Sequence, residues 1–137
     1  MSDRLLERYT GRKPAPDTEF DSVSDAGGSE DLGAFGWLRG PRERAVMLEL
    51  RKKDGSIFAI AYGFIDRMQF DPTEGITLRS GQSAIRIKGR GLNAEIRPQV
   101  RLFQGLTRHR VSWVQEADAT MRVHAAKNAV LVDAIEC

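Results

Sequence analysis

The chain has 137 residues, 41% of them hydrophobic and 29% charged, and a formal net charge of +2. This length and composition are typical of one soluble domain. No stretch approaches the ~20 consecutive apolar residues of a membrane span, and no apolar run of signal-peptide length follows Met1. The single cysteine, Cys137, excludes an intrachain disulfide bond and fits a reducing compartment. We therefore expect a soluble, cytoplasmic protein.

The charge is unevenly distributed along the chain. Residues 1–36 carry eight acidic and four basic side chains, a net charge of −4. Residues 76–113 carry eight basic side chains against Glu95 alone, a net charge of +7. A basic region of that density attracts polyanions. Alternating charge on an exposed sheet face also keeps a protein soluble and discourages aggregation, so both interpretations stay open.

Residues 1–36 are predicted to form a disordered acidic tail. They are rich in Gly, Pro, Ser and Asp, and such a stretch buries too little apolar surface to offset its ordering entropy. The remaining residues, 37–137, are predicted to form a single β-rich globular domain. The charge contrast adds a hypothesis, which is that the acidic tail folds back onto the basic region.

The first two predicted strands lie between residues 44 and 64. Residues 44–51 alternate, with Val46, Leu48 and Leu50 on one face. A turn at Asp54-Gly55 leads to a strand over residues 56–64 that is apolar on both faces. Because strands buried on both faces have this composition, we predict that residues 56–64 form the central, most buried strand.

Residues 65–88 are predicted to form three further strands. A strand over residues 65–70 ends in the turn Asp71-Pro72-Thr73-Glu74-Gly75. Two alternating strands then flank Gly81-Gln82, a turn that would pair Leu78 with Ile85 and Ile76 with Ile87. The opposite face of this hairpin would carry the basic side chains.

The C-terminal third is predicted to contain a helix and one or more strands. Val100, Phe103 and Leu106 follow Pro98 at helical spacing, which predicts one amphipathic helix near residues 98–108. Residues 111–114 are predicted to form a strand. Residues 121–135 are compatible with a last strand pair around Lys127-Asn128 and with a terminal helix.

Together these elements predict an α+β, β-rich fold. We expect a mainly antiparallel sheet of about five to eight short strands, arranged as a small barrel or sandwich, with the amphipathic helix packed on its apolar face.

The candidate site is a set of basic residues that could contact the phosphate or carboxylate groups of a polyanion. No aromatic side chains are interleaved for stacking on single-stranded bases, because Phe103 and Trp113 are expected in the core. The set consists of Arg79, Arg86, Lys88, Arg90, Arg97, Arg101, Arg108 and Arg110.

Catalytic and metal-binding patterns are weak in this sequence. His109 and His124 are the only histidines, and no acidic residue lies at ligand spacing from either. Cys137 has no neighbour that would activate it, and the chain lacks both a Gly-x-Ser-x-Gly elbow and a phosphate-binding loop. We therefore expect no enzyme activity, no metal and no cofactor.

Ile85-Arg86-Ile87-Lys88 followed by Gly89-Arg90-Gly91 resembles the second sequence motif of Sm-like RNA-binding proteins. That resemblance is confined to these residues, and Sm-like chains begin with a helix, whereas here the predicted helix follows the sheet. The order of strands and helix is also similar to a pleckstrin-homology-like sandwich, although more chain follows the helix here. We transfer no function from either resemblance.

The preferred functional prediction is a non-catalytic binding module. Its predicted ligand is a polyanion such as a nucleic acid, or an acidic protein surface, bound by the basic residues. The alternative is a structural or assembly protein that forms homo-oligomers through a strand edge or through Phe35 and Trp37.

Overall fold

The computed structural model describes residues 28–125 and 129–137. The chain divides into two units, Met1–Gly28 with Arg39–Glu43, and Ser29–Leu38 with Arg44–Cys137. In the first unit, the Arg39 amide donates a hydrogen bond to the Gly28 carbonyl (3.1 Å). The second unit contains the two sheets and the helices.

Sheet A has five short strands, and it is mixed. The strands are β1 (Ser29–Asp31), β2 (Phe35–Leu38), β3 (Met47–Arg51), β4 (Ile57–Ala61) and β8 (Val111–Gln115). Their order in the sheet is β1-β2-β8-β3-β4. β3 and β8 are parallel, with Leu50 opposite Val114, and the other neighbours are antiparallel.

Sheet B has four strands, and every neighbouring pair is antiparallel. The strands are β5 (Arg67–Asp71), β6 (Gly75–Ser80), β7 (Ser83–Arg90) and β9 (Leu131–Glu136), in the order β5-β6-β7-β9. The β6–β7 register places Leu78 opposite Ile85 and Ile76 opposite Ile87, as predicted. The predicted turn before β6 is also present, and Asp71 Oδ1 accepts the Thr73 amide there (2.8 Å).

The inner faces of both sheets contribute to one hydrophobic core. Alternation along β3 buries Leu48 and Leu50, and alternation along β6 and β7 buries Ile76, Leu78 and Ile87. The β-rich α+β class predicted from the sequence is confirmed as two sheets. No closed barrel is present in the part of the chain that the structure describes.

Three short helical segments connect the strands. A 3-10 helix (Tyr62–Phe64) joins β4 to β5, α1 (Leu102–Thr107) precedes β8, and α2 (Ala119–His124) follows it. Asp118 caps α2 by accepting the Met121 amide on its side chain (2.8 Å). Within residues 28–125 and 129–137, no helix has the length and apolar composition needed to cross a bilayer.

The predicted helix near residues 98–108 is shorter in the structure. Gln99 has a left-handed φ of 68°, and the Ile96 amide donates to the Val100 carbonyl (2.9 Å). Pro98 and Gln99 therefore lie in a tight turn, and α1 begins only at Leu102. α1 buries Leu106, as the amphipathic spacing predicts, and also Leu102, whereas Phe103 is half-buried.

The prediction that residues 56–64 form the central, most buried strand is wrong. β4 lies at an edge of sheet A, not at its centre, and Ile57 on its outer face is 59% exposed. Tyr62 and Phe64 belong to the 3-10 helix rather than to the strand. A strand that is apolar on both faces predicts burial, but the order of strands in a sheet depends on distant partners.

The start and the end of the chain also differ from prediction. Residues 29–36, assigned to the tail, form β1 and the start of β2, and Phe35 is fully buried. The rest of the tail up to residue 27 lies outside the described residues. At the C-terminus, residues 119–124 form helix α2 and residues 131–136 form strand β9, so these segments do not make the strand pair that one alternative predicted.

Candidate functional site

The outer face of sheet B carries a cluster of basic side chains, which we call the basic face: Arg67, Arg79, Arg86 and Lys88. The inward-facing residues of these strands are apolar, so alternation directs the residues between them toward solvent. Arg67, Arg79 and Lys88 are exposed and Arg86 is half-buried. The sequence-predicted residues Arg79, Arg86 and Lys88 thus share one surface.

Arg67 and Arg79 are directly opposite each other in the β5–β6 register. Arg79 is also opposite Ala84, which places Arg86 at the diagonal position, a spacing that long side chains bridge. Neither Arg67 nor Arg79 has an ion-pair partner within residues 28–125 and 129–137. Two arginines at directly opposed positions therefore lie on this face without an ion-paired carboxylate from the described chain.

Arg86 and Lys88 are each matched with a carboxylate. Arg86 Nη1 lies 3.1 Å from Glu74 Oε1, and Lys88 Nζ lies 3.4 Å from Glu136 Oε2. A shallow cavity of about 450 Å³ opens beside them, with residues of both charges among its lining, including Glu74 and Asp133. This end of the basic face is consequently of mixed charge.

The other predicted residues are dispersed. Arg97 makes a bidentate ion pair with Glu30, one oxygen of which lies 2.7 Å from Arg97 Nη1. Arg101 donates to the Asn93 carbonyl (3.2 Å), and Arg110 donates to the Leu38 carbonyl (2.6 Å). Arg90 is the exposed last residue of β7, two positions after Lys88, and Arg108 is exposed at the end of α1. Of these five residues, Arg97, Arg101, Arg108 and Arg110 lie outside sheet B. Arg90 lies on the outer face of β7, but at the opposite end of the strand from Ala84, the residue that faces Arg79.

Arg67 is not among the residues predicted from the sequence, because it precedes the basic region at residues 76–113. The available signal was alternation in residues 67–71, where Met68 and Phe70 face the core and Arg67 and Gln69 face solvent. The hypothesis that the acidic tail folds back onto the basic region concerns residues that lie mostly outside the described chain. Glu30, which the sequence analysis assigned to that tail, forms an ion pair with Arg97, and Arg97 lies outside the basic face.

His109 and Cys137, which were considered as catalytic residues, lie in surroundings that do not activate them. The His109 ring stacks on Tyr62 at a centroid distance of 4.3 Å. Partial burial raises the pKa of the exposed Cys137 thiol, which disfavours the nucleophilic thiolate. Among the described residues, no three His, Cys, Asp or Glu side chains come together as a metal site.

Comparison of the chain with protein-family models, with curated proteins and with solved structures finds no match.

Proposed function

We propose that this domain is a non-catalytic binding module whose basic face receives an acidic segment of another protein. The observation that supports the proposal is the pair Arg67 and Arg79, opposite each other without a described carboxylate partner. Like charges directly opposite on neighbouring strands destabilise a sheet. A carboxylate placed between the two guanidinium groups would remove that repulsion and accept charge-assisted hydrogen bonds from both.

An acidic protein segment fits the basic face better than a nucleic acid does. Glu74, Asp133 and Glu136 lie beside the basic residues, and they would repel a uniform row of phosphates. The only aromatic residue from 67 to 88 is Phe70, which packs against the core and offers no stacking surface. A protein partner can place its own basic side chains opposite these three carboxylates.

The test compares two charge reversals in the full chain. A fluorescent glutamate-rich peptide is titrated with wild type, Arg79→Glu and Arg108→Glu at low salt, and binding is followed by anisotropy. Arg79→Glu should weaken binding by about tenfold or more, because it removes one guanidinium group and places a carboxylate opposite Arg67, which would neutralise the other. Arg108→Glu changes the net charge equally but lies at the end of α1, so it should weaken binding by less than about threefold.

Two results would contradict the proposal. Equal losses in both variants would mean that net charge, not the basic face, determines binding. Tighter binding of a duplex DNA probe than of the peptide at the same salt, again sensitive to Arg79→Glu, would assign the basic face to nucleic acid.

A further inference from the structure

We infer that two copies of this chain associate through strand β4, pairing antiparallel about a two-fold axis at Ala59 and joining two A sheets into one. The proposed contact uses sheet A and does not involve the basic face on sheet B. The two sheets end in four edge strands, β1, β4, β5 and β9.

Three of those edges are protected in ways that natural sheets use. β1 has only three residues, and two of them, Glu30 and Asp31, are acidic. β5 carries Arg67 and Asp71 at its ends. β9 is covered, because the Ile135 amide donates to Glu116 Oε2 (2.6 Å) and the Val132 carbonyl accepts the Ala117 amide (2.8 Å).

The fourth edge, β4, has no such protection. Gly55 to Ile65 contains no charged residue, and the strand itself is Ile-Phe-Ala-Ile-Ala. Four of the six large hydrophobic side chains exposed in the described chain lie on or beside β3 and β4: Val46, Met47, Ile57 and Phe64. On the inner face, Phe58 and Ile60 pack against the core but stay partly exposed, so the core is open at this edge.

The hydrogen-bond pattern shows which backbone groups are available for a partner. The Lys52 amide donates to the Ser56 carbonyl (2.8 Å) and the Tyr62 amide to the Val46 carbonyl (2.9 Å). The residues of β4 that bond to β3 therefore alternate with those that do not. By that alternation, the amide and carbonyl groups of Ile57, Ala59 and Ala61 point away from β3.

This set of outward groups is self-complementary. Antiparallel pairing centred on Ala59 places Ala59 opposite its own copy and Ile57 opposite Ala61 of the other copy, so on the outer face the large side chain meets a small one. On the inner face the same register places Phe58 opposite Ile60, which joins the two apolar surfaces left open at this edge. In a symmetric interface the residues near the axis meet themselves, and any charge there would repel its copy. The absence of charge from Gly55 to Ile65 is thus what self-association requires, and this observation favours a second copy over an unrelated strand.

The first measurement is sedimentation velocity of the full chain over a concentration series. Wild type should show a monomer–dimer equilibrium. Ala59→Pro removes an outward amide and blocks the edge, so it should raise the dimer dissociation constant by at least about tenfold. Ala59→Ser keeps the amide and a small side chain, and it should dimerise like wild type.

A charge-swap experiment tests the axis itself, and it also covers the case in which Ala59→Pro fails to fold. Ala59→Lys and Ala59→Glu should each be monomeric, because each variant places like charges at the axis. An equimolar mixture of the two should recover a dimer. Wild type that is monomeric at every concentration, a dimer that survives Ala59→Lys, or a mixture that stays monomeric would each overturn the inference.

Discussion

Glu116 is a buried carboxylate that connects the two sheets. It is 8% exposed, and its two oxygens accept the amides of Lys53 (2.8 Å) and Ile135 (2.6 Å). Lys53 lies in the turn before β4 and Ile135 lies in β9, so one side chain bonds to a turn of sheet A and a strand of sheet B. We infer that Glu116 positions the two sheets relative to each other.

Replacement of Glu116 by alanine should therefore destabilise the fold. Because both amides lose their acceptor and Ile135 is buried, Glu116→Ala should lower the free energy of unfolding by about 2–3 kcal/mol. Glu74→Ala, which breaks only the exposed ion pair with Arg86, should cost less than about 1 kcal/mol. Urea unfolding followed by circular dichroism measures both. Equal stability losses would show that Glu116 has no special role.

Tyr62 provides a pH-dependent contribution to stability. Its hydroxyl donates to the Val111 carbonyl (2.6 Å), and burial raises the pKa of that hydroxyl above its ordinary value. The folded state thus retains the proton at a pH where the unfolded state loses it. This stabilisation is complete below the unfolded pKa of about 10 and is lost as the pH rises above it.

The Tyr62→Phe variant should therefore respond less to alkaline pH. At about pH 8 it should be less stable than wild type by about 1 kcal/mol, because the hydrogen bond is missing. Between about pH 10 and pH 11 the unfolding free energy of wild type should fall more steeply than that of Tyr62→Phe. All other ionisable side chains are the same in both proteins, so parallel curves would show that Tyr62 does not contribute.

Residue-scale contacts of this kind could not be predicted from the sequence. Glu116 and Lys53 are 63 positions apart, and Tyr62 and Val111 are 49 positions apart. No local pattern distinguishes Glu116 from the exposed glutamates, because its burial follows from strands that meet only in the folded chain. The alternation that places Arg79, Arg86 and Lys88 on one face, by contrast, is local and was predicted.

At the level of secondary-structure elements, the sequence pattern predicted the β6–β7 hairpin correctly and the position of β4 incorrectly. The hairpin register was predicted because both strands and the turn between them are contiguous in sequence. β4 was placed at the centre of a sheet because both of its faces are apolar, yet strand order in sheet A depends on the parallel pairing of β3 with β8. The apolar composition of β4 predicted a neighbouring strand on each side, and the structure shows one neighbouring strand, β3.

A close approach between β2 and β8 gives a test at the same scale. Trp113 lies over Gly36, and a Cβ atom added there would overlap the indole ring. The Arg51 guanidinium carbon also lies 4.4 Å from the centroid of that ring, so the indole lies between a glycine and a cation. Gly36 is thus required for the position of Trp113.

Gly36→Ala should displace the indole and destabilise the protein by about 1–3 kcal/mol, the usual cost of overpacking. Gly63→Ala is the matched control, because no atom lies within 4 Å of the added Cβ, and it should be nearly neutral. Thermal unfolding gives the stability change, and tryptophan fluorescence reports the indole environment. A Gly36→Ala protein with wild-type stability and emission would contradict the contact.

At the scale of the whole molecule, some basic side chains form ion pairs with acidic side chains and others do not. The sequence predicted one basic region of net charge +7, but the structure matches Arg97 with Glu30, Arg86 with Glu74 and Lys88 with Glu136. These acidic partners come from segments outside residues 76–113. The count along the chain could not anticipate them, since neutralisation depends on which segments the fold brings together. Within the basic face, the Arg67–Arg79 end has no carboxylate partner among the described residues.

The most direct test of the proposed function is to identify the residues that an acidic ligand contacts. Nitrogen-15 NMR spectra of the full chain, titrated with the glutamate-rich peptide, locate the amides that respond. We expect the largest shift changes in β5, β6 and β7 around Arg67 and Arg79, reduced at high salt because the contacts are charged. Changes concentrated on sheet A or α1, or no changes at saturating peptide, would contradict the assignment of the basic face as the binding site.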